Sequence, residues 1–156
     1  MQGRMKEHPL SSAEIDVLLN EESVGNLATI SADGFPYITP VHYVWIDSKV
    51  YIHGLSVGQK INYLTQNPKV GFEVFRINGF IQDENQPCDT NTDYQSVIMH
   101  GTALIVTDDA LRLKAINAVV SKYTPQHEGK PFPVAMLKAT GVIEITPIAI
   151  TGKYYK

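Results

Sequence analysis

Apolar residues first recur along the chain at helical spacing and then at every second position. Ile15, Leu18 and Leu19 form a stripe behind Ser11-Ser12-Ala13-Glu14. That tetrapeptide is a capping box, in which the hydroxyl accepts the third amide and the glutamate reaches back, so a short opening helix is predicted. From Val24 the period shortens. "VGNLATIS", "YITPVHYVWI" and "VYIHG" read as strands joined by Asp33-Gly34 and by Asp47-Ser48-Lys49, both turn signals of hairpins. Neighbours joined so tightly run antiparallel, because parallel strands need long crossovers.

Gly58 to Asn67 reads as a helix with Ile61 and Leu64 on one face, stopped by Asn67-Pro68. "KVGFEVF" is predicted as a fourth strand, and the breaker-rich stretch 78–93 as a long loop, functional or disordered. "YQSVIMHGTALIV" follows as a fifth strand bent at Gly101. Asp108 stands where it can cap a helix over "DALRLKAINAVVSKY", whose apolar face is Leu111, Ala115, Ala118 and Val119. After a Pro/Gly-rich linker, "AMLKATGVIEITPIAITGKYY" predicts a sixth strand interrupted by Pro147 and a short last one. Residues 1–10 are expected to form a flexible N-terminus. Short strands, tight turns and few helices within 156 residues point to a single domain that is mostly β (α+β by some counts). The expected architecture is an antiparallel barrel, closed or nearly so, with flanking helices.

Composition narrows the function. A net charge of −3 argues against nucleic acid, which needs clustered Lys and Arg to neutralise phosphates. No apolar run approaches the roughly 20 residues of a membrane span, and the first residues lack the apolar middle of a signal peptide. Cys88 is the single cysteine and has no internal partner for a disulfide, so a cytoplasmic location is expected. His8, His42, His53, His100 and His127 fall in no ligand spacing, and no metal site is expected.

The chemistry concentrates at 53–60. Gly54-Leu55-Ser56-Val57-Gly58 matches the Gly-x-Ser-x-Gly nucleophile elbow, and Asp108 or Asp109 and then His127 follow in the order a hydrolase requires. The elbow, however, belongs at the end of a central parallel strand, and these strands are hairpin-linked. A phosphate loop wants four residues between its glycines and a hydroxyl residue after its lysine; here three intervene, and Lys60 is followed by Ile61. No Gly-x-Gly-x-x-Gly is present, so no Rossmann-type site is supported. What remains is an anion cradle: a strand ending at His53, a glycine-bracketed turn, and a helix start with free amides. Ser56 offers a hydroxyl. Lys60 adds a charge that the helix dipole disfavours unless an anion lies between them. The plainer reading of Lys60 is a solvated lysine on an exposed helix face.

The succession Gly25, Leu27-Ala28-Thr29, Asp33-Gly34, Pro36-Tyr37, Pro40-Val41, Tyr43, Tyr51, His53, Gly58, Lys60, Leu64, Asn67-Pro68, Val70 and Phe72 resembles the FMN-binding split barrels related to pyridoxamine 5′-phosphate oxidase. It is most similar to the 5-nitroimidazole resistance (Nim-type) branch. "YQSVIMHGTA" and "IAITGK" extend the likeness over about Ser11 to Lys153. The resemblance implies a homodimer of six-stranded antiparallel split β-barrels with FMN in two interface clefts. It implies Ser56, Gly58 and Lys60 at the FMN phosphate, and Pro40, Val41, His42 and Tyr43 along the isoalloxazine ring. His53 and Gly54 would lie beside the flavin, and Tyr94, Gln95, Ser96 and Val97 would come from the partner subunit. Gln95 stands where the branch has Arg, and His42 where it often has Asn. The implied activity is that of an FMN-dependent oxidoreductase. It would pass electrons from an external donor to a small aromatic, electron-poor acceptor such as a nitroaromatic, with His53 as the candidate catalytic proton donor. A flavin-binding protein without turnover and a haem-binding or haem-degrading split barrel are the alternatives. Cys88, in the long loop, could lie near the substrate.

Overall fold

The computed structural model describes residues 7–82 and 90–156; Cys88 lies outside the described residues. The six strands are β1 (Val24–Ile30), β2 (Pro36–Ile46), β3 (Lys49–Leu55), β4 (Lys69–Ile81), β5 (Asn91–Ile105) and β6 (Thr140–Tyr155). All pairings are antiparallel, and they close a barrel in the order β1-β2-β3-β6-β5-β4. Alternation decides what goes inside. Leu27, Tyr43, Ile52, Phe72, Met99 and Ile145 meet in the barrel interior. Helix α1 (Ser12–Glu21) is started by the predicted capping box and sends Leu18 and Leu19 into the same core. Helix α2 (Gln59–Gln66) contributes Ile61 and Leu64.

A second core lies outside the barrel. Helix α3 (Asp109–Tyr123) is capped by Asp108, which accepts from the Leu111 amide. It packs Ala115, Ile116 and Val119 onto Val44 of β2, Tyr51 of β3 and Val142 of β6. These strands therefore bury both faces. On β3, Val50 and Ile52 point into the barrel and Tyr51 points out beneath α3. The next outward position is His53.

Four local expectations are corrected. Strands β4 and β5 take up 78–81 and 91–93 of the stretch read as a loop over 78–93, and pair as far as Ile81 with Asn91. Ile77, Phe80, Thr92 and Tyr94 favour strand, and the register shift between Ile77 and Gly79 absorbs the breakers. β6 runs through Pro147 without interruption, because Pro147 sits opposite Gly101 at a register shift where no ladder donor is needed. A Cβ on Gly101 would come 2.5 Å from the Thr146 carbonyl oxygen, so the bend admits only glycine. Residues 135–139, expected to open the sixth strand, belong instead to a short helix, α4 (Val134–Ala139). Near the N-terminus, the Leu10 amide donates to the Gly152 carbonyl at 3.1 Å and the Tyr154 amide to the His8 carbonyl at 3.0 Å. Leu10 is buried, so positions 8–10 are pinned to β6.

β2 and β3 pair only over Tyr43–Ile46 and Lys49–Ile52. Beyond that, the first half of β2 runs with β1, and the end of β3 runs with β6 through His53↔Val142, Gly54↔Gly141 and Leu55↔Thr140. The barrel wall splits there.

Candidate functional site

At the split, Tyr123 at the end of α3 fills the position that β1 vacates. Its hydroxyl accepts from the Tyr43 amide at 2.9 Å and lies 2.7 Å from the Tyr43 carbonyl and 2.8 Å from that of Ser23. The backbone of Tyr43 is thus occupied. Because a strand's backbone groups alternate sides, the neighbouring His42 and Pro40 turn theirs toward β3, where the ladder has ended. The side chains of His42 and His53 face each other across this gap, with ring centroids 6.4 Å apart and planes within 12°.

The turn after β3 has the character of an anion cradle. Gly58 caps α2 with φ +130°, no side chain caps the helix, and no acidic residue stands in its first turn. Its first amides are left without a protein side-chain partner at the positive end of the dipole. Lys60 lies in that first turn and folds back over the strand end: its Nζ is 3.9 Å from where a Gly54 Cβ would be. Gly54 pairs with Gly141, so the floor beside the lysine carries no side chains. Gly141 is required there, since a Cβ would lie 2.9 Å from the Ser56 Cα and 3.2 Å from its amide nitrogen. Ser56 and Gly58 are exposed on the turn. An uncapped, acid-free helix start with a lysine bent over glycines fits a phosphate.

Behind the histidines opens a chamber of about 480 Å³ lined by His42, His53, Val119, Val120, Phe132 and Leu137, with Tyr123 and Met136 at its sides. Its roof is formed by α3, Phe132 and α4. Arg112 clasps this roof, donating to the Leu137 carbonyl and, at 2.9 Å, to the Thr140 carbonyl. His53 Nδ1 is buried without a hydrogen-bond partner among the described residues, an omission that ordinarily costs about 1–3 kcal/mol. Burial first, then His42 and Lys60, push the His53 pKa down. At neutral pH the ring is therefore neutral, a hydrogen-bonding partner before it is a proton donor.

The split brings together Pro40, His42, His53, Gly54, Ser56, Gly58 and Lys60. The side chains of Val41, Tyr43 and Val97 point into the barrel core, so these residues can offer a ligand only backbone. Tyr94 and Ser96 face outward on β5, in a groove with Phe75, Ile77 and Lys153. The hydrolase alternative is not assembled. Ser56 ends an antiparallel strand, Asp108 is spent on the α3 cap, Asp109 pairs with Arg112, and His127 contacts Lys130. Glu144, the buried carboxylate, is held by Lys49 at 2.6 Å and Tyr51 at 2.9 Å. The roof residues were missed in the sequence. The available signal was that Ile116, Val120 and Tyr123 recur at helical spacing on α3, beside the stripe of Ala115 and Val119.

Residues 11–154 match the sequence profile of the family described as pyridoxamine 5′-phosphate oxidase. The chain belongs to that family. No protein of curated function matches it. Among solved structures it resembles a protein described as a 5-nitroimidazole antibiotic resistance protein from Bacteroides thetaiotaomicron, at 18% identity and a TM-score of 0.78 over 93% of this chain and 85% of that one. A flavocytochrome from Azotobacter vinelandii superposes at 0.86, with 18% identity over 99% and 72% of the two chains. A FAD and haem binding protein from Mycobacterium smegmatis superposes at 0.84, with 20% identity over 94% and 72%. At these identities the likeness shows the fold: the six-stranded split barrel with flanking helices expected of the family. No helix of the described residues is long and apolar enough to cross a membrane.

Proposed function

We propose that this pyridoxamine 5′-phosphate oxidase family member is a cytoplasmic, FMN-dependent oxidoreductase that reduces small electron-poor aromatic acceptors, nitroaromatics among them. The observation that carries this reading is the start of α2. It has no cap and no acid, and its lysine is bent over a glycine floor at the mouth of the split. Ser56, Gly58 and Lys60 would hold the phosphate. The unladdered backbone of Pro40 and His42 would meet the polar edge of the ring, and Gly54 leaves room for it. Solved structures of the same fold are described as binding FAD and haem, or as a 5-nitroimidazole resistance protein, which supports a flavin over other phosphate ligands.

FMN, when bound, supplies reversible two-electron chemistry. With an external hydride donor, the net reaction would take one hydride and one proton to convert a nitro group to nitroso and water. The residues of the chain bind, orient and exclude water. His53 would offer its unpartnered Nδ1 to a bound acceptor, with solvent as the ready source of the proton. The outward groove with Phe75 and Ile77, which are 46% and 54% exposed, is the face on which a second copy would sit, carrying Tyr94 and Ser96 to its neighbour's cofactor.

An absorption spectrum after incubation with FMN, followed by dialysis, tests the reading. The protein should stay yellow, and Lys60→Ala should weaken FMN by roughly tenfold to a hundredfold, the 1.5–3 kcal/mol of a lost charged hydrogen bond. Consumption of a reduced nicotinamide with a nitroaromatic then reports turnover. Colourless protein at saturating FMN removes the proposal; yellow protein without turnover leaves flavin binding alone.

A further inference from the structure

The geometry points to the chamber between His42, His53 and the α3–α4 roof as a separate binding site, for an uncharged ring-bearing ligand with a single polar group placed on His53 Nδ1. The polar inventory of the walls carries this. Among the described residues, no Asp, Glu, Lys or Arg lines the chamber. Its hydroxyls are already engaged: Tyr123 on Tyr43 and Ser23, Thr124 on the Val120 carbonyl, and Thr140 on the Met136 carbonyl. The imidazoles of His42 and His53 are what remains for a ligand to meet, and Nδ1 of His53 has no partner among the described residues. The other walls are apolar: Val119, Val120, Phe132, Met136 and Leu137.

A flavin ring does not suit this inventory, because its polar edge carries several donors and acceptors; the open edge of β2 suits it better. An ionised ligand would be stripped of water with no counter-charge in the chamber's lining; the cation nearest His53, Lys60, stands at the cradle outside it. A flat molecule with one hydroxyl, carbonyl or ring nitrogen satisfies the orphan nitrogen and fills the rest with apolar contact. The assignment of this ligand as the electron acceptor rests on the flavin reading. The binding site does not.

The test uses 2-naphthol and 2-naphthoate, one ring system uncharged and the other anionic at neutral pH, titrated calorimetrically into the protein with and without FMN. 2-Naphthol should bind in both states, and 2-naphthoate about tenfold or more weakly, the cost of an unpaired charge. His53→Phe should weaken 2-naphthol by roughly fivefold, the share of one neutral hydrogen bond. Val120→Trp, which fills the chamber, should abolish 2-naphthol binding while leaving the FMN spectrum intact. Met136→Trp, at an exposed position of α4, is the second blocking variant should the first fail to fold. Equal affinity for the two naphthalenes, or blocking variants that bind normally, would overturn the assignment. Competition between FMN and 2-naphthol would give the chamber to the cofactor ring and overturn it too. So would haemin displacing 2-naphthol with a Soret band that His53→Phe removes. Protein that binds no FMN yet takes 2-naphthol in a Val120-dependent way would end the flavin reading and uphold the chamber.

Discussion

The rings of His42 and His53 stand 6.4 Å apart and nearly parallel across the gap where β2 and β3 cease to pair. Neither strand alone creates this relationship. His42 is the last outward position of β2 before the second core closes at Val44, and His53 is the first outward position of β3 beyond Tyr51. The two residues therefore mark the edge between packed wall and open split.

That placement predicts a pH dependence. In the folded chain His53 is held below the ordinary histidine value of 6.5, chiefly by burial and then by His42 and Lys60. As pH falls through about 6.5, the unfolded chain takes up a proton that the folded chain resists. The contribution of His53 to stability is thus complete above that pH and declines below it. Urea midpoints of the wild type should fall on acidification from about pH 7.5 to pH 5 more steeply than those of His53→Phe, with all other histidines common to both. An unchanged slope in the variant would show that the ring titrates freely.

The glycines under the cradle separate fold from function. Gly141→Ala places a Cβ 2.9 Å from the Ser56 Cα, so the turn must move, and main chain cannot yield as a flexible side chain can. Weakened FMN binding and a lowered melting temperature are expected together. Gly54→Ala meets nothing nearer than the Lys60 Nζ at 3.9 Å. It should fold normally and lose FMN affinity only if the ring or phosphate passes over that spot. Dye-monitored melting alongside flavin titration reads both variants; Gly141→Ala with wild-type melting and affinity would refute the close approach.

Tyr123→Phe removes the hydroxyl that serves the Tyr43 amide at 2.9 Å and the carbonyls of Tyr43 and Ser23. Nothing else described reaches that amide, and an orphaned, part-buried donor costs about 1–3 kcal/mol. Chemical denaturation should show a loss in this range. A loss under about 0.5 kcal/mol would mean that water replaces the hydroxyl without difficulty.

How much of this could be read from the chain follows from what is local. The capping box, the hairpins and the start of α2 are written in runs of a few residues, so Ser11-Glu14, Asp33-Gly34 and Gly58 were legible. The alternation Val50, Tyr51, Ile52, His53 was legible too, but not that α3 would cover one of its faces. The continuity of β6 through Pro147 depends on Gly101, 46 positions earlier and opposite it in the ladder, which no local pattern reports. The chamber draws on positions from His42 to Thr140. Its helix α4 is six residues long, too short for a period to declare itself against strand-like neighbours.

Lys122 supplies a prediction of opposite appearance. Its ammonium sits 4.1 Å from the centroid of the buried Tyr43 ring and donates to the Leu19 carbonyl at 3.3 Å. Burial pulls its pKa down to about 8, against a smaller opposing effect of Glu22. The unfolded chain keeps this proton to a higher pH than the folded one, so this lysine adds stability as pH rises from about 8 toward 10.5. Tyr51, pushed up to about 12 by burial and by Glu144, and Tyr43, raised by burial, act in the other direction once the medium passes the ordinary tyrosine value. The lysine effect must therefore be read as a difference. Wild type minus Lys122→Met, which keeps the apolar stem, should show a urea midpoint difference that climbs in favour of the wild type between about pH 7.5 and 9.5. A flat difference would place the ammonium in water, away from the Tyr43 ring.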